Sequence, residues 1–250
     1  MSLASEYQRQ FGWRDWPGIF GVLPELSGRT IFDLGCGVGD QAAELVARGA
    51  HVIGVDANDE LLRVAASRGL ANADFRPANL RQLPDLGVMA DGLWSSFTAA
   101  YFPDLAAVLT TWKRHLRPGG WIALIEIDDL FGHEPLSPRS RALLDAYARD
   151  AFAAGRYDFH MGRKLREHLE RAAFSVSRVL TVEDQELAFQ GPARSEVIDA
   201  WRARLERMQL LRELCGAEFG QLREEFLSCL AHAEHTSRAK VYVCLGTSQT

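Results

Sequence analysis

From residue 28 onward the chain alternates between short apolar runs and apolar stripes repeating every three to four positions. Thr30-Ile31-Phe32-Asp33-Leu34 and His51-Val52-Ile53-Gly54-Val55 are nearly continuous apolar runs, which predicts parallel strands covered on both faces. Between them Ala42, Ala43, Leu45 and Val46 recur at helical spacing up to Gly49, a C-cap residue. After the second run Leu61, Leu62, Val64 and Ala65 do the same, from a cap at Asn58 or Asp59 to Gly69. A third strand is expected from Ala73 to Ala78 and a fourth from Asp91 to Phe97. A helix then carries Leu105, Val108, Leu109, Trp112 and Leu116 on one face, the turn Arg117-Pro118-Gly119-Gly120 ends it, and a fifth strand runs from Trp121 to Ile127. Five strands joined by helices at this spacing imply right-handed crossovers and a parallel sheet.

Beyond Asp128 the regularity changes. A loop over residues 132–138 leads into a helix from Arg139 to Ala154, with Ser137 as N-cap and Pro138 in the first turn. A second loop, Gly155 to Gly162, precedes a helix from Lys164 to Ala173, and Phe174 to Thr181 alternates as a strand does. From Gly191 two helical stripes follow, Val197, Trp201, Leu205, Met208, Leu211 and then Phe219, Leu222, Phe226, Leu230, before a final strand from Ala239 to Leu245. Ahead of the first strand, residues 5–26 hold Tyr7, Phe11, Trp13, Trp16 and Phe20, an aromatic density that suits either a helix packed on the sheet or a lid.

The stretch Asp33-Leu34-Gly35-Cys36-Gly37-Val38-Gly39 joins the first strand to the first helix. Glycines there permit positive φ and bring a ligand against backbone, and the helix behind offers unpaired N–H groups. A dinucleotide turn reads G-x-G-x-x-G, whereas this one reads Asp-x-Gly-x-Gly-x-Gly. Its carboxylate would repel a diphosphate but suits an ammonium or sulfonium.

These residues resemble the first motif of class I S-adenosylmethionine-dependent methyltransferases. Asp56, ending the second strand, is similar to that family's ribose-binding acid, and Leu116 to Gly120 is similar to its L-x-P-G-G turn. The resemblance implies a Rossmann-like α/β fold with a seven-stranded, mostly parallel sheet whose last strand is antiparallel, plus helical insertions. It implies one domain over 1–250: an N-terminal helical lid at 1–27, a cofactor-binding core at 28–130, helical substrate-cap insertions at 131–172 and 191–236, and a last strand at 239–246. The implied cofactor is S-adenosyl-L-methionine, with product S-adenosyl-L-homocysteine and no metal. Its expected contacts are Tyr7, Asp33, Gly35, Cys36, Gly37, Asp56, Ala57, Asn79, Leu80, Ser96 and Phe97. Asn79 stands where the family often has an adenine-binding acid and offers its amide oxygen instead.

A net charge of −5 argues against a phosphate-tracking surface, so a nucleic-acid partner is not expected. Cys36, Cys215, Cys229 and Cys244 lack C-x-x-C spacing, which points away from zinc and disulfides and towards a reducing compartment. No apolar run approaches ~20 residues and the N-terminus lacks a signal-peptide pattern, so a cytoplasmic protein without a membrane span is expected. Should the acceptor need a base, the candidates are His160 and His133 on loops, with Tyr157 and Asp158 beside the first. The reading is methyl transfer to an O or N atom of a small molecule. Two alternatives stay open: a cofactor-binding, non-catalytic partner subunit, and a methyltransferase for RNA or protein. The amphipathic insertion serves equally as a substrate cap or as a homodimer contact.

Overall fold

The computed structural model describes residues 3–249. Two short helices, α1 (Leu3–Phe11) and α2 (Trp16–Phe20), precede the alternating unit β1 (Thr30–Leu34), α3 (Asp40–Ala47), β2 (His51–Asp56), α4 (Asp59–Ser67), β3 (Ala73–Pro77), β4 (Ala90–Ser96), α5 (Leu105–Lys113) and β5 (Leu116–Asp128). There follow β6 (His133–Glu134), α6 (Pro138–Ala153), α7 (Met161–Arg171), β7 (Phe174–Val182), α8 (Ser195–Arg207), α9 (Gln209–Cys215), α10 (Phe219–Leu230), β8 (Thr236–Ser237) and β9 (Lys240–Ser248). The main sheet has seven strands in the order β3-β2-β1-β4-β5-β9-β7. Strands β1 to β5 pair in parallel, and β9 runs antiparallel to both of its neighbours. This is the expected Rossmann-like sheet with an antiparallel last strand.

Alternation along the strands distributes the core over both faces. Ile31, Val52, Trp94, Ala123 and Ile125 pack on one side with α2 and the later helices. Phe32, Ile53, Leu93, Ile122 and Leu124 pack on the other with α5 and α7. Successive side chains of a strand point to opposite faces, so nearly continuous apolar runs are what a doubly covered sheet requires. On the second face Trp112 is fully buried and its Nε1 donates to the Leu80 carbonyl at 2.8 Å. Replacing Trp112 by Phe leaves that carbonyl unpaired and is expected to cost about 1–3 kcal/mol. A lowered melting temperature in a thermal scan checks it.

Three expectations about elements are corrected. Leu116 does not close the fifth helix but begins β5, pairing with Ala90; the Arg117–Gly120 turn is a bulge within that strand, and regular pairing resumes at Gly92 with Trp121. α7 lies against β5, β7 and β9, so the segment 161–171 is a sheet-covering helix and not part of a cap. β6 and β8 form a separate two-stranded ribbon that ties the start of the first insertion to the end of the second. Above it α6, α8, α9 and α10 pack mutually around Trp201 and Phe226.

Candidate active site

The strand order reverses between β1 and β4, and a ligand crevice belongs at the carboxyl ends of strands on either side of such a point. A cleft of about 540 Å³ opens there. Its floor is the glycine turn. Gly35 and Cys36 both donate their N–H to the Val55 carbonyl, at 2.7 and 3.1 Å, which pins the turn to β2. Gly35, Gly37 and Gly39 all have positive φ, and Gly39 caps α3. Gly35 also lies so close to Thr98 that a Cβ would fall 2.1 Å from its Oγ1.

Asp33 shares a strand face with Ile31 and lies beneath this turn, only 1% exposed. Its Oδ2 is buried without a hydrogen-bond partner among the described residues. Burial, with a smaller contribution from the nearby Asp56, pushes its carboxyl up to about 8. An unpartnered buried carboxyl oxygen under a backbone cradle is the donor set that a cationic head group completes. Asp56 is folded back onto the turn, with Oδ2 accepting from Gly37 N at 2.9 Å and Oδ1 from Asn58 N at 2.9 Å.

Of the residues expected to hold a cofactor, Tyr7, Gly35, Cys36, Gly37, Asp56, Ala57, Asn79, Leu80, Ser96 and Phe97 all line the cleft, while Asp33 stands behind its wall. The Asn79 oxygen accepts from Arg81 N at 2.9 Å and so caps the turn at Leu80–Gln82, which leaves its second lone pair open. Cys36 is buried, and burial raises its thiol well above the usual range. Trp13 does not line the cleft, whereas its neighbours Gln10, Phe11, Arg14 and Trp16 do.

The proposed bases are dispersed. Tyr157 reaches the cleft and meets Tyr101 edge-on at 5.0 Å. Its hydroxyl is raised by burial first and by Glu126 second, so it stays protonated near neutral pH. His160 is not in this cleft. It borders a separate one of about 360 Å³ with Asp158 and Lys164, its Nδ1 4.0 Å from Asp128. Of the residues expected beside it, Asp158 accepts from His160 N at 2.9 Å and pairs with Lys164, whereas Tyr157 faces the main cleft. His133 is wholly buried between Phe189, Trp201 and Phe226, with its Nδ1 3.0 Å from His235 Nε2. Burial, with His235 and Arg141 adding to it, lowers it to about 3.

The opposite wall is built by residues that no local pattern in the sequence links. Arg14 from the segment after α1 and Arg204 from α8 both line the cleft beside Tyr7, Tyr101 and Tyr157. Behind them Glu186, fully buried, accepts from Arg204 Nη2 at 2.5 Å, Arg14 Nη2 at 3.1 Å and Gln10 Nε2 at 3.2 Å. The one sequence signal was Arg204's place at the edge of the Trp201/Leu205 stripe; nothing local linked it to a turn far earlier in the chain.

Residues 31–120 match the family described as "Methyltransferase domain". The chain is similar to nocamycin O-methyltransferase of Saccharothrix syringae, 31% identical over 208 residues that cover 73% of this chain and 71% of that one. The chain belongs to the class I S-adenosylmethionine-dependent methyltransferases. This methyltransferase is also similar to trans-aconitate 2-methyltransferase of Azoarcus sp. (strain BH72), 38% identical over 104 residues, 41% of this chain and 40% of that one. The chain thus spans about two fifths of the length of the trans-aconitate relatives it matches. Among solved structures it is similar to geranyl diphosphate C-methyltransferase from Streptomyces coelicolor A3(2) in complex with Mg2+, geranyl diphosphate and S-adenosyl-L-homocysteine. The TM-score is 0.57 at 14% identity, covering 92% of this chain and 78% of that one. That likeness concerns the fold. Among the described residues no helix of this methyltransferase is long and apolar enough to cross a membrane.

Proposed function

We propose that this methyltransferase binds S-adenosylmethionine in the cleft above the glycine turn and transfers its methyl group to an oxygen or nitrogen atom of a small molecule. The observation that carries the reading is the buried, unpartnered Asp33 Oδ2 beneath the backbone of Gly35 to Gly39. Asp33 and the turn would hold the amino-acid part of the cofactor, Asp56 the ribose, and Asn79 with Leu80 the adenine. When bound, the cofactor supplies an activated methyl group on a sulfonium. The chain's own contribution is then to place the acceptor in line and to exclude water. Tyr7, Phe11, Trp16, Phe97 and Tyr157 supply an aromatic wall for that purpose.

The cleft extends past the turn to a wall built by α1 and α8, which supports catalysis over the reading as a cofactor-holding partner subunit. Only Arg14 and Arg204 among the described lining residues are basic, and both are backed by carboxylate, which favours a small acceptor over RNA. Titration calorimetry tests the proposal. Both S-adenosylmethionine and S-adenosylhomocysteine should bind one to one with micromolar affinity, and no heat of binding for either at about 1 mM ligand would end it.

A further inference from the structure

We propose that the acceptor is an organic carboxylate and that the guanidinium of Arg204 is its docking group; this rests on the cofactor-binding reading above and narrows its acceptor. Arg204 is held with some of its hydrogen-bonding capacity unspent. Among the described residues only Glu186 takes a hydrogen bond from it, through Nη2, and its Nε is buried without a partner. About a quarter of its side chain remains exposed, and it lines the cleft, while Glu186 behind it is completely enclosed. The Trp201 indole lies under the guanidinium at 5.1 Å and donates its own N–H to the Glu186 carbonyl at 2.9 Å, so both members of the pair are braced.

Arg14 is different. Its Nη1 donates to Gln10 O and its Nη2 to Glu186, while its Nε lies 2.9 Å from Asp184. Arg14 is thus tied to two carboxylates and is 9% exposed, whereas Arg204 has Glu186 as its ion-pair partner and keeps a quarter of its side chain open to the cleft. A planar guanidinium with free N–H groups matches a carboxylate in shape and charge.

The rest of the wall agrees. The carboxylates among the described lining residues are Asp40, paired with Arg68, and Asp56, bonded to the glycine turn. Both are thus engaged within the chain, and Arg204 is a cation of the cleft with side-chain surface still exposed. No His is among the described lining residues, and burial raises the hydroxyls of Tyr7, Tyr101 and Tyr157. An acceptor that arrives already ionised needs no base. On methylation of a carboxylate, an oxygen lone pair forms the new bond to carbon, the electron pair of the broken C–S bond stays on sulfur, and no proton has to leave.

The experiment measures binding of benzoate, hexanoate and glutarate, and of their neutral amides, to the protein saturated with S-adenosylhomocysteine. At least one acid should bind at millimolar concentration while its amide does not. Arg204→Gln should weaken that acid about ten- to a hundred-fold, and Arg204→Lys by less, with S-adenosylhomocysteine affinity retained in both. Equal binding of acids and amides, no acid binding at about 10 mM, or unchanged acid affinity in either variant would overturn the inference. Arg204→Lys decides alone if the Gln variant does not fold. Failure of S-adenosylhomocysteine to bind the unaltered protein would instead remove the function proposed above, so the two failures are told apart.

Discussion

Asp33→Asn is expected to weaken S-adenosylmethionine binding about a hundred-fold at pH 8.5 and to abolish a proton release that accompanies binding to the unaltered protein. The carboxyl ionises at about 8 in the folded chain against an ordinary value near 3.8, chiefly because burial disfavours its charge. Between those limits the folded chain holds a proton that the unfolded chain has lost. Stability therefore falls as pH rises from about 4 to about 8 and levels off above. A cationic ligand reverses the preference. Below pH 8 its binding should expel up to one proton, seen in calorimetry as a dependence of the heat on the buffer's ionisation enthalpy. Asn removes the titrating group, so the variant should lose this dependence and the accompanying fall in melting temperature between pH 5 and 8. Above pH 8 it should melt higher than the unaltered protein, because a charge no longer has to be buried. Tighter binding with the same proton release in the variant would show that Asp33 is a neutral structural group.

The second large effect concerns Gly35. At φ +85° an alanine is strained, and its Cβ would stand 2.1 Å from Thr98 Oγ1 and 2.9 Å from Thr98 Cβ. Thr98 is not free to retreat, because its hydroxyl donates to the Ser96 carbonyl at 3.2 Å. The backbone cost alone is about 1–3 kcal/mol. Gly35→Ala should therefore displace the turn from the Val55 carbonyl and reduce cofactor affinity by more than about a hundred-fold, read by the same titration. Pairing it with Thr98→Gly relieves the clash but not the φ strain. The double variant should recover part of the affinity and never all of it. Full recovery would mean that the glycine is required for space only, and none would mean that backbone conformation decides.

Much of the architecture was legible because its signals are local. Nearly continuous apolar runs at residues 30–34, 51–55 and 121–127 read as strands covered on both faces, and the Gly-rich link after Asp33 reads as a bend. The boundaries that failed did so for reasons a pattern does not carry. Leu116 fits the stripe of α5 and is equally apolar as the first residue of β5, so pairing with Ala90 settled its state. α7 has the apolar spacing of any surface helix, and only its contact with β5, β7 and β9 separates a sheet cover from a cap. Sequence proximity also misled: Tyr157, Asp158 and His160 are close in the chain, yet Tyr157 faces the main cleft and the other two a second one. Loop residues two apart can face unrelated environments, because no repeating geometry relates them.

What the sequence determined by itself was the half of the cleft around the glycine turn, since the three glycines, Asp56 and Asn79 each close a strand or form the link that follows one, and the carboxyl ends of parallel strands lie at one rim of the sheet. What only the tertiary structure decided was the opposite half. Arg14, Glu186 and Arg204 belong to three separate elements, and no periodicity relates them. They meet because the segment after α1 is bridged at Arg14 to Asp184 and at the Trp13 carbonyl to Gln185 N, in the loop ahead of α8, where the buried Glu186 carboxylate is shared between two guanidinium groups.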